Sequence, residues 1–264
     1  MRLALGLEYC GRTFTGWQSQ PDGRGVQDAL ERALAVIADA QVGTIAAGRT
    51  DTGVHATMQV VHFDVEAARP DTAWVRGVNS NLPADVAVLW ARPVAAEFHA
   101  RFDAVRRATT PTCSRCAPCR PALLAGRVGW YHRSLDVAAM QEAAGALVGT
   151  HDFSAFRAAE CQAKSPTRTL SIASRSRRRG EHVRFDFCAN AYLHHMIRNI
   201  VGALVYVGAG KHPPAWIGEL LAGRDRTRAA PTFAPDGLYF TGVGIRREVD
   251  GCRRRAGRSR FRSA

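Results

Sequence analysis

The 264 residues suffice for one large domain or two smaller ones around a buried core. With 46% hydrophobic and 22% charged residues the composition is that of a soluble globular protein, and no run approaches the roughly 18 apolar residues of a membrane span. Thirty-six Lys and Arg against 23 Asp and Glu leave a net charge of +13, which predicts a polyanionic partner, nucleic acid first and an acidic membrane surface second.

Leu3 to Tyr9 alternates weakly and reads as a strand; Glu8 comes too early for a secretory apolar region, so a cytoplasmic protein is expected. Gly11 to Gly25 reads as a glycine-rich loop whose aromatics, Phe14 and Trp17, either pack in the core or stack on a base. Val26 to Ala38 carries Val26, Leu30, Leu34 and Ile37 on one helical stripe. Strands are predicted at Val42 to Ala47, Gln59 to Val65 and Val86 to Trp90, with a short helix over Thr72 to Val78 and a turn at Asn79 to Pro83. Asp136 reads as the N-cap of a helix running to about Val148 and ended by Gly149. Val183 to Ala189 alternates as a strand, after a basic turn at Arg175 to Gly180. Helices follow over Ala191 to Val207 and Pro214 to Ala222, and Leu238 to Val243 closes as a strand. The alternation, with no Gly-rich phosphate fingerprint, indicates an α+β fold with antiparallel sheet. Half of the excess charge sits in residues 246–264, where eight arginines face only Glu248 and Asp250, a composition that predicts a solvated basic tail.

Between two predicted strands, Ala47-Gly48-Arg49-Thr50-Asp51-Thr52-Gly53-Val54-His55-Ala56 sets one carboxylate between a fixed cation and a glycine. Gly48 and Gly53 bracket a turn where backbone can approach a ligand closely. An ordinary polar turn with a surface Arg–Asp pair has the same spacing.

The stretch GRTDTGVHA resembles the active-site signature of the TruA-type tRNA pseudouridine synthases. Further segments resemble that family in the same order: Gly16 to Gln20, Asn79 to Pro83, Phe98 to Phe102, His151 to Phe156, His194 to Asn199 and Gly237 to Tyr239. The resemblance implies a pseudouridine synthase fold. Two ferredoxin-like halves, residues 1–105 and 106–245, would join their antiparallel sheets around a central basic cleft, with 246–264 as the tail. It further implies a cytoplasmic homodimer, without cofactor or metal, that isomerises uridine at positions 38 to 40 of the tRNA anticodon stem-loop. Asp51 would be the catalytic nucleophile. Arg198 would pair with it, Arg49 would point to phosphate or to groups behind the carboxylate, and Leu238 would pack against the target base or in the core. Arg101, Arg106, Arg107, His194 and His195 are expected to contact RNA. Zinc at His194 and His195 is not expected, because adjacent helical side chains diverge by about 100°.

One patch departs from the family. A Tyr-x-Tyr strand is expected after Arg106 and Arg107, its first tyrosine stacking on the target base, and the chain instead reads Ala108-Thr109-Thr110-Pro111-Thr112-Cys113. The tyrosine should fall near Thr109 or Thr110, and a polar, proline-broken segment stands in place of a strand. Shifting the codons by one base from Thr109 onward permits Tyr-x-Tyr followed by apolar residues, so the patch is expected to be read out of frame. Two rival readings remain: an RNA-binding protein that has lost catalysis, and a metal-binding protein using Cys113, Cys116 and Cys119 at C-x2-C-x2-C spacing, for which no fourth ligand lies nearby.

Overall fold

Leu3, Leu5 and Leu7 alternate along the first strand and are fully buried, yet Ala4 between them is buried as well. Both faces of that strand are covered, which explains why its sequence alternates only weakly. In the computed structural model, which describes residues 1–114, 119–173 and 182–246, this strand, β1 (Arg2–Tyr9), is followed by α1 (Val26–Ala38), β2 (Ile45–Ala46) and β3 (His55–Asp64). A π-helical turn at Ala73–Gly77 runs into α2 (Val78–Asn81), then β4 (Val86–Val94), β5 (Ala104–Ser114) and β6 (Gly129–Trp130). The remainder is α3 (Val137–Gly145), β7 (Gly149–Asp152), β8 (Thr167–Ala173), β9 (His182–Arg184), β10 (Asp186–Ala189), α4 (Met196–Gly208), α5 (Trp216–Gly223) and β11 (Leu238–Ile245).

The strands form one mixed, mostly antiparallel sheet in the order β4-β1-β3-β11-β5-β10-β8-β7. β11 is the seam. It runs parallel to β3 through Tyr239 and Phe240 and antiparallel to β5 from Leu238 to Ile245. On one side of the seam α1, the π-helical turn and α2 lay Val26, Leu30, Leu34, Trp74 and Val78 onto the leucines of β1 and onto Val61 and Phe63. Leu30 and Leu34 are fully buried, each contributing about 1.5–3 kcal/mol by leaving water. On the other side α3, α4 and α5 pack Met140, Ile200, Leu204, Ile217 and Leu220 against Leu170 and Phe187. A third cluster, Phe98, Ala100 and Ala104 against Ala4 and Val60, covers the far face of β1 and β3.

The Ala108 to Cys119 patch differs from the sequence expectation. β5 continues through Pro111, and its register against β10 (Phe187 opposite Thr109) is the same as against β9 (Arg184 opposite Thr112). Pro111 therefore sits opposite Phe185, whose amide still donates to the Pro111 carbonyl at 3.2 Å. The proline removes only its own N–H from the ladder, which interrupts the neighbouring strand at Phe185 without breaking β5. The predicted helix over Ala191 to Val207 also differs: α4 starts at Met196, because His195 takes a left-handed conformation at φ 58°. Asp136 caps α3 as expected, accepting the Ala138 and Ala139 amides at 2.9 and 3.1 Å, but the helix stops at Gly145. Cys10, Cys119, Cys161 and Cys188 are free thiols. Cys116, the basic turn at Arg175 to Gly180 and all of the tail beyond Arg246 lie outside the described residues, as does the side chain of Cys113.

Candidate active site

The loop between β2 and β3 is short and tied at every turn. The Asp51 carbonyl accepts the Val54 amide at 3.1 Å, and Gly53 takes φ +80°, as the third residue of a type II turn requires. A Cβ on Gly53 would also lie 2.9 Å from Cγ of Pro235. Thr50 is held by the Tyr9 hydroxyl at 2.8 Å and by the Trp17 amide, which donates to the Thr50 carbonyl at 3.0 Å. Gly16 approaches the same carbonyl so closely that a Cβ there would come within 2.9 Å of it, at a φ of +104° that disfavours side chains anyway. Trp17 is thus committed to the core, at 2% exposure, rather than to a base.

Two side chains support the loop from beneath. Gln59 Nε2 donates to the Gly48 carbonyl at 2.5 Å, and Arg107 Nε donates to the Ala47 carbonyl at 2.8 Å. Arg107, expected on the RNA-facing surface, is buried, and its other donors reach the carbonyls of Ala104, Arg101 and Asn190. Its guanidinium serves as an internal brace. Burial pulls its pKa below the ordinary arginine value. Arg49 and Arg101 are exposed, and Arg106 is exposed with its Nε on Cys188 Sγ at 3.3 Å.

Asp51 itself is partly open, with 23% of its side chain exposed. Three groups converge on it from the entrance of α4. Arg198 Nη1 lies 3.4 Å from Oδ2, His195 Nε2 3.6 Å from Oδ2, and His194 Nε2 3.8 Å from Oδ1. The Arg198 guanidinium is aimed by its Nε, which donates to the Phe233 carbonyl at 2.9 Å, while the Phe233 amide returns to the Arg198 carbonyl at 3.1 Å. A cation inside an apolar helix stripe is given a carboxylate and a carbonyl, which offsets its burial. The two imidazoles are not splayed as on a regular helix. The left-handed His195 brings both rings to one side, their centroids 3.9 Å apart. Burial holds His195 below its usual pKa, reinforced by the charges of His194 and Arg198 and opposed by Asp51. Asp51, His194 and His195 form the compact His–carboxylate group found among the described residues.

Beside Arg198 is a small apolar recess lined by Leu238, Phe233 and Pro111. Leu238 is 7% exposed and belongs to the core while also facing the recess. Thr109 is buried in the sheet between Phe187 and Phe240, and Thr110 turns to the other face, bonding Asp186 Oδ1 at 2.7 Å. Of Thr109, Thr110 and Pro111, Pro111 is the one at the recess.

His55, quoted in the signature stretch but given no role there, ties three segments together. Its Nδ1 accepts the Gly11 amide at 3.2 Å, its Nε2 reaches the Gly126 carbonyl at 2.7 Å, and its ring stacks on Tyr239. Tyr9, Gln59 and His55 all support the Asp51 loop, and their only signal in the sequence was a polar or aromatic residue at a strand end. A carboxylate so fixed, aimed at open space beside a guanidinium and an apolar recess, is suited to attack or stabilise an electron-poor carbon beside a planar apolar ring.

A family model described as tRNA pseudouridine synthase matches residues 7–103 and 143–244. The chain is similar to proteins named tRNA pseudouridine synthase A. It is 61% identical to that of Methylobacillus flagellatus over 252 residues, covering 96% of this chain and 94% of the relative. Identity is 60% to that of Thiobacillus denitrificans over 243 residues and 62% to that of Chromobacterium violaceum over 245, each covering 92% of this chain and 93% of the relative.

Proposed function

The chain belongs to the tRNA pseudouridine synthase family and is an isomerase of tRNA uridine; from that premise we propose that it acts on the anticodon stem-loop, at positions 38 to 40, with Asp51 as the nucleophile. The observation that carries this reading is the Asp51 carboxylate, held by Arg198 at 3.4 Å and open to a ligand on its free side.

The chemistry balances without a cofactor. The bond from ribose C1′ to uracil N1 breaks, the base turns, and a new bond joins C1′ to C5; the proton displaced from C5 is lost and N1 gains one. Asp51 either adds to C1′ or stabilises its positive charge, which is greatest as the base departs. Arg198 holds the carboxylate in place, so little reorganisation remains for the moment of reaction. Uracil in a stem is inaccessible to a side chain, so the nucleotide must leave its stack, and the recess at Leu238 and Pro111 suits one face of the free ring. Exposed Arg49, Arg101 and Arg106 supply phosphate contacts, which choose the arm by shape rather than by base edges. His194 and His195 line the approach to Asp51 and complete the RNA-facing surface. The working form in this reading is a cytoplasmic homodimer.

The test is pseudouridine formation in an unmodified tRNA transcript, comparing this chain with Asp51→Ala. Product from the parent alone supports the reading. tRNA binding with no product from either would replace it with the binding-only reading, in which the patch around Pro111 has cost the chain its catalysis.

A further inference from the structure

The geometry points to a transition-metal site at the mouth of the catalytic pocket, in which Asp51, His194 and His195 hold one divalent ion of the zinc type and thereby block the carboxylate. The three donors come from two loops and are already assembled. Nε2 of His195 is 3.6 Å from Oδ2, Nε2 of His194 is 3.8 Å from Oδ1, and all three ligand atoms lie within 4.8 Å of one another. Donors bonded to a tetrahedral zinc at about 2.0–2.1 Å sit roughly 3.3–3.4 Å apart, so from separations of up to 4.8 Å the two imidazoles close on the ion by rotating about their side-chain bonds.

The backbone explains why two consecutive histidines can ligate one ion. On a regular helix they would diverge, but His195 sits at φ 58°, a strained conformation for a non-glycine residue. Hydrogen bonds hold both sides of the kink: the His194 carbonyl accepts the Ala158 amide at 3.1 Å and the His195 carbonyl accepts the Asn199 amide at 2.9 Å. Among the described residues neither imidazole makes a hydrogen bond, the Asp51 oxygens lying at 3.8 and 3.6 Å, so both ring nitrogens that face the carboxylate are available. The two rings, tilted at 38° with centroids 3.9 Å apart, present their Nε2 atoms toward the same carboxylate.

The donor set selects the ion. Two imidazoles and one carboxylate suit zinc, cobalt or nickel and not magnesium, which prefers oxygen and keeps its waters. Three protein ligands leave a fourth position for water or for an RNA phosphate oxygen. Arg198, whose Nη1 lies 3.4 Å from Asp51 Oδ2, competes with an ion for the same carboxylate, so the site is reversible rather than structural. Occupancy removes the lone pairs that the isomerisation uses. This blocking effect rests on the isomerase reading, while metal binding itself does not.

The experiment is titration of the RNA-free protein with Co2+, read by its visible ligand-field bands, followed by displacement with Zn2+. One ion should bind with the intense bands of four-coordination and without thiolate charge transfer. His194→Ala, His195→Ala and Asp51→Asn should each weaken binding by about tenfold or more, and excess Mg2+ should not compete. A variant with Cys113, Cys116 and Cys119 replaced by serine should bind as the parent does. Zinc at micromolar levels should then halt pseudouridine formation, with a chelator restoring it. Absence of the Co2+ bands in the parent, or their survival in folded His194→Ala and His195→Ala proteins, overturns the site. Loss of binding in the cysteine variant alone moves it to those cysteines. If Co2+ binds as described and the parent makes no pseudouridine, the site stands and the isomerase reading falls.

Discussion

Arg198 reaches Asp51 across 147 positions of sequence, Nη1 to Oδ2 at 3.4 Å, and both side chains are partly open, 16% exposed at Arg198 and 23% at Asp51. A pair of this kind is built for geometry more than for stability, since one partner must remain accessible. Replacing Arg198 by Ala should lower the single-turnover rate of pseudouridine formation by about 10²–10³-fold, with tRNA affinity little changed. Arg198→Lys should recover only part of the loss, because an ammonium cannot bond Asp51 and the Phe233 carbonyl as a fork does. An unchanged rate in Arg198→Ala would separate Arg198 from the chemistry.

Acid should weaken the fold through two buried histidines. Burial holds His55 below its ordinary value, and burial followed by the Arg2 and His99 charges holds His62 down to about 4. Both rings accept a backbone amide through Nδ1, from Gly11 and Ala100, and so are bound neutral. Below pH 6.5 the unfolded chain takes up protons that the native rings refuse, so stability falls on acidification from about 6.5 until the native His62 protonates near 4. Thermal melts across that window should show a falling midpoint, with a shallower slope in His62→Gln. A flat midpoint would contradict the assignment.

The three arginines expected to contact RNA, and Arg49, expected to point to phosphate or to groups behind the carboxylate, divide by environment. Arg101→Ala and Arg106→Ala should each lower the salt slope of tRNA binding by about one, and Arg49→Ala likewise. Arg107→Ala should instead lower the melting midpoint, because it strips the brace from the carbonyls of Ala47, Arg101, Ala104 and Asn190. Equal salt slopes and equal stability for Arg106→Ala and Arg107→Ala would erase the distinction.

Pro111→Tyr should help twice. It returns an N–H to the ladder opposite Phe185 and places an aromatic ring at the recess beside Arg198 and Leu238. Stacking on a base contributes about 1–3 kcal/mol, so the rate or affinity for tRNA should rise roughly tenfold. The same substitution bears on the gene. Shifted reading requires Thr109 to be encoded ACT and Pro111 CCT, and resequencing that finds other third bases would end the out-of-frame explanation.

Much of this was readable in advance where one physical cue dominated. α1 was predicted over its full length, Val26–Ala38, because its stripe is clean, and the Asp136 cap follows from local chemistry alone. The β5 segment read as broken because proline is usually excluded from inner strands, yet its pairing to β11, β9 and β10 overrides that local preference. β7 and β8 were missed altogether: β7 is a four-residue edge strand where no apolar alternation is demanded, and β8, paired to β10 and β7, carries only Leu170 and Ile172 as apolar cues among Thr, Arg and Ser. At the site, Asp51 and Arg198 were named as partners from resemblance, while the brace of Arg107 and the His55 tie depend on folding that brings distant carbonyls together. The start of α4 turned on a single left-handed residue, His195, for which the sequence carries no marker.

The seam strand gives the molecule a temporal order. β11 lies between β3 and β5 in space but follows both by well over a hundred residues in the chain, and its register with each is made last as the polypeptide leaves the ribosome. Until then each partial sheet presents an unpaired edge, β3 on one and β5 on the other, held only by their own helices. Arg198 precedes the seam and Asp51 lies beyond it on the opposite flank, so the Asp51–Arg198 pair is a long-range contact of high closure entropy. The two helix-covered flanks of the sheet are thus joined through residues 238–245, a strand synthesised long after both of its neighbours.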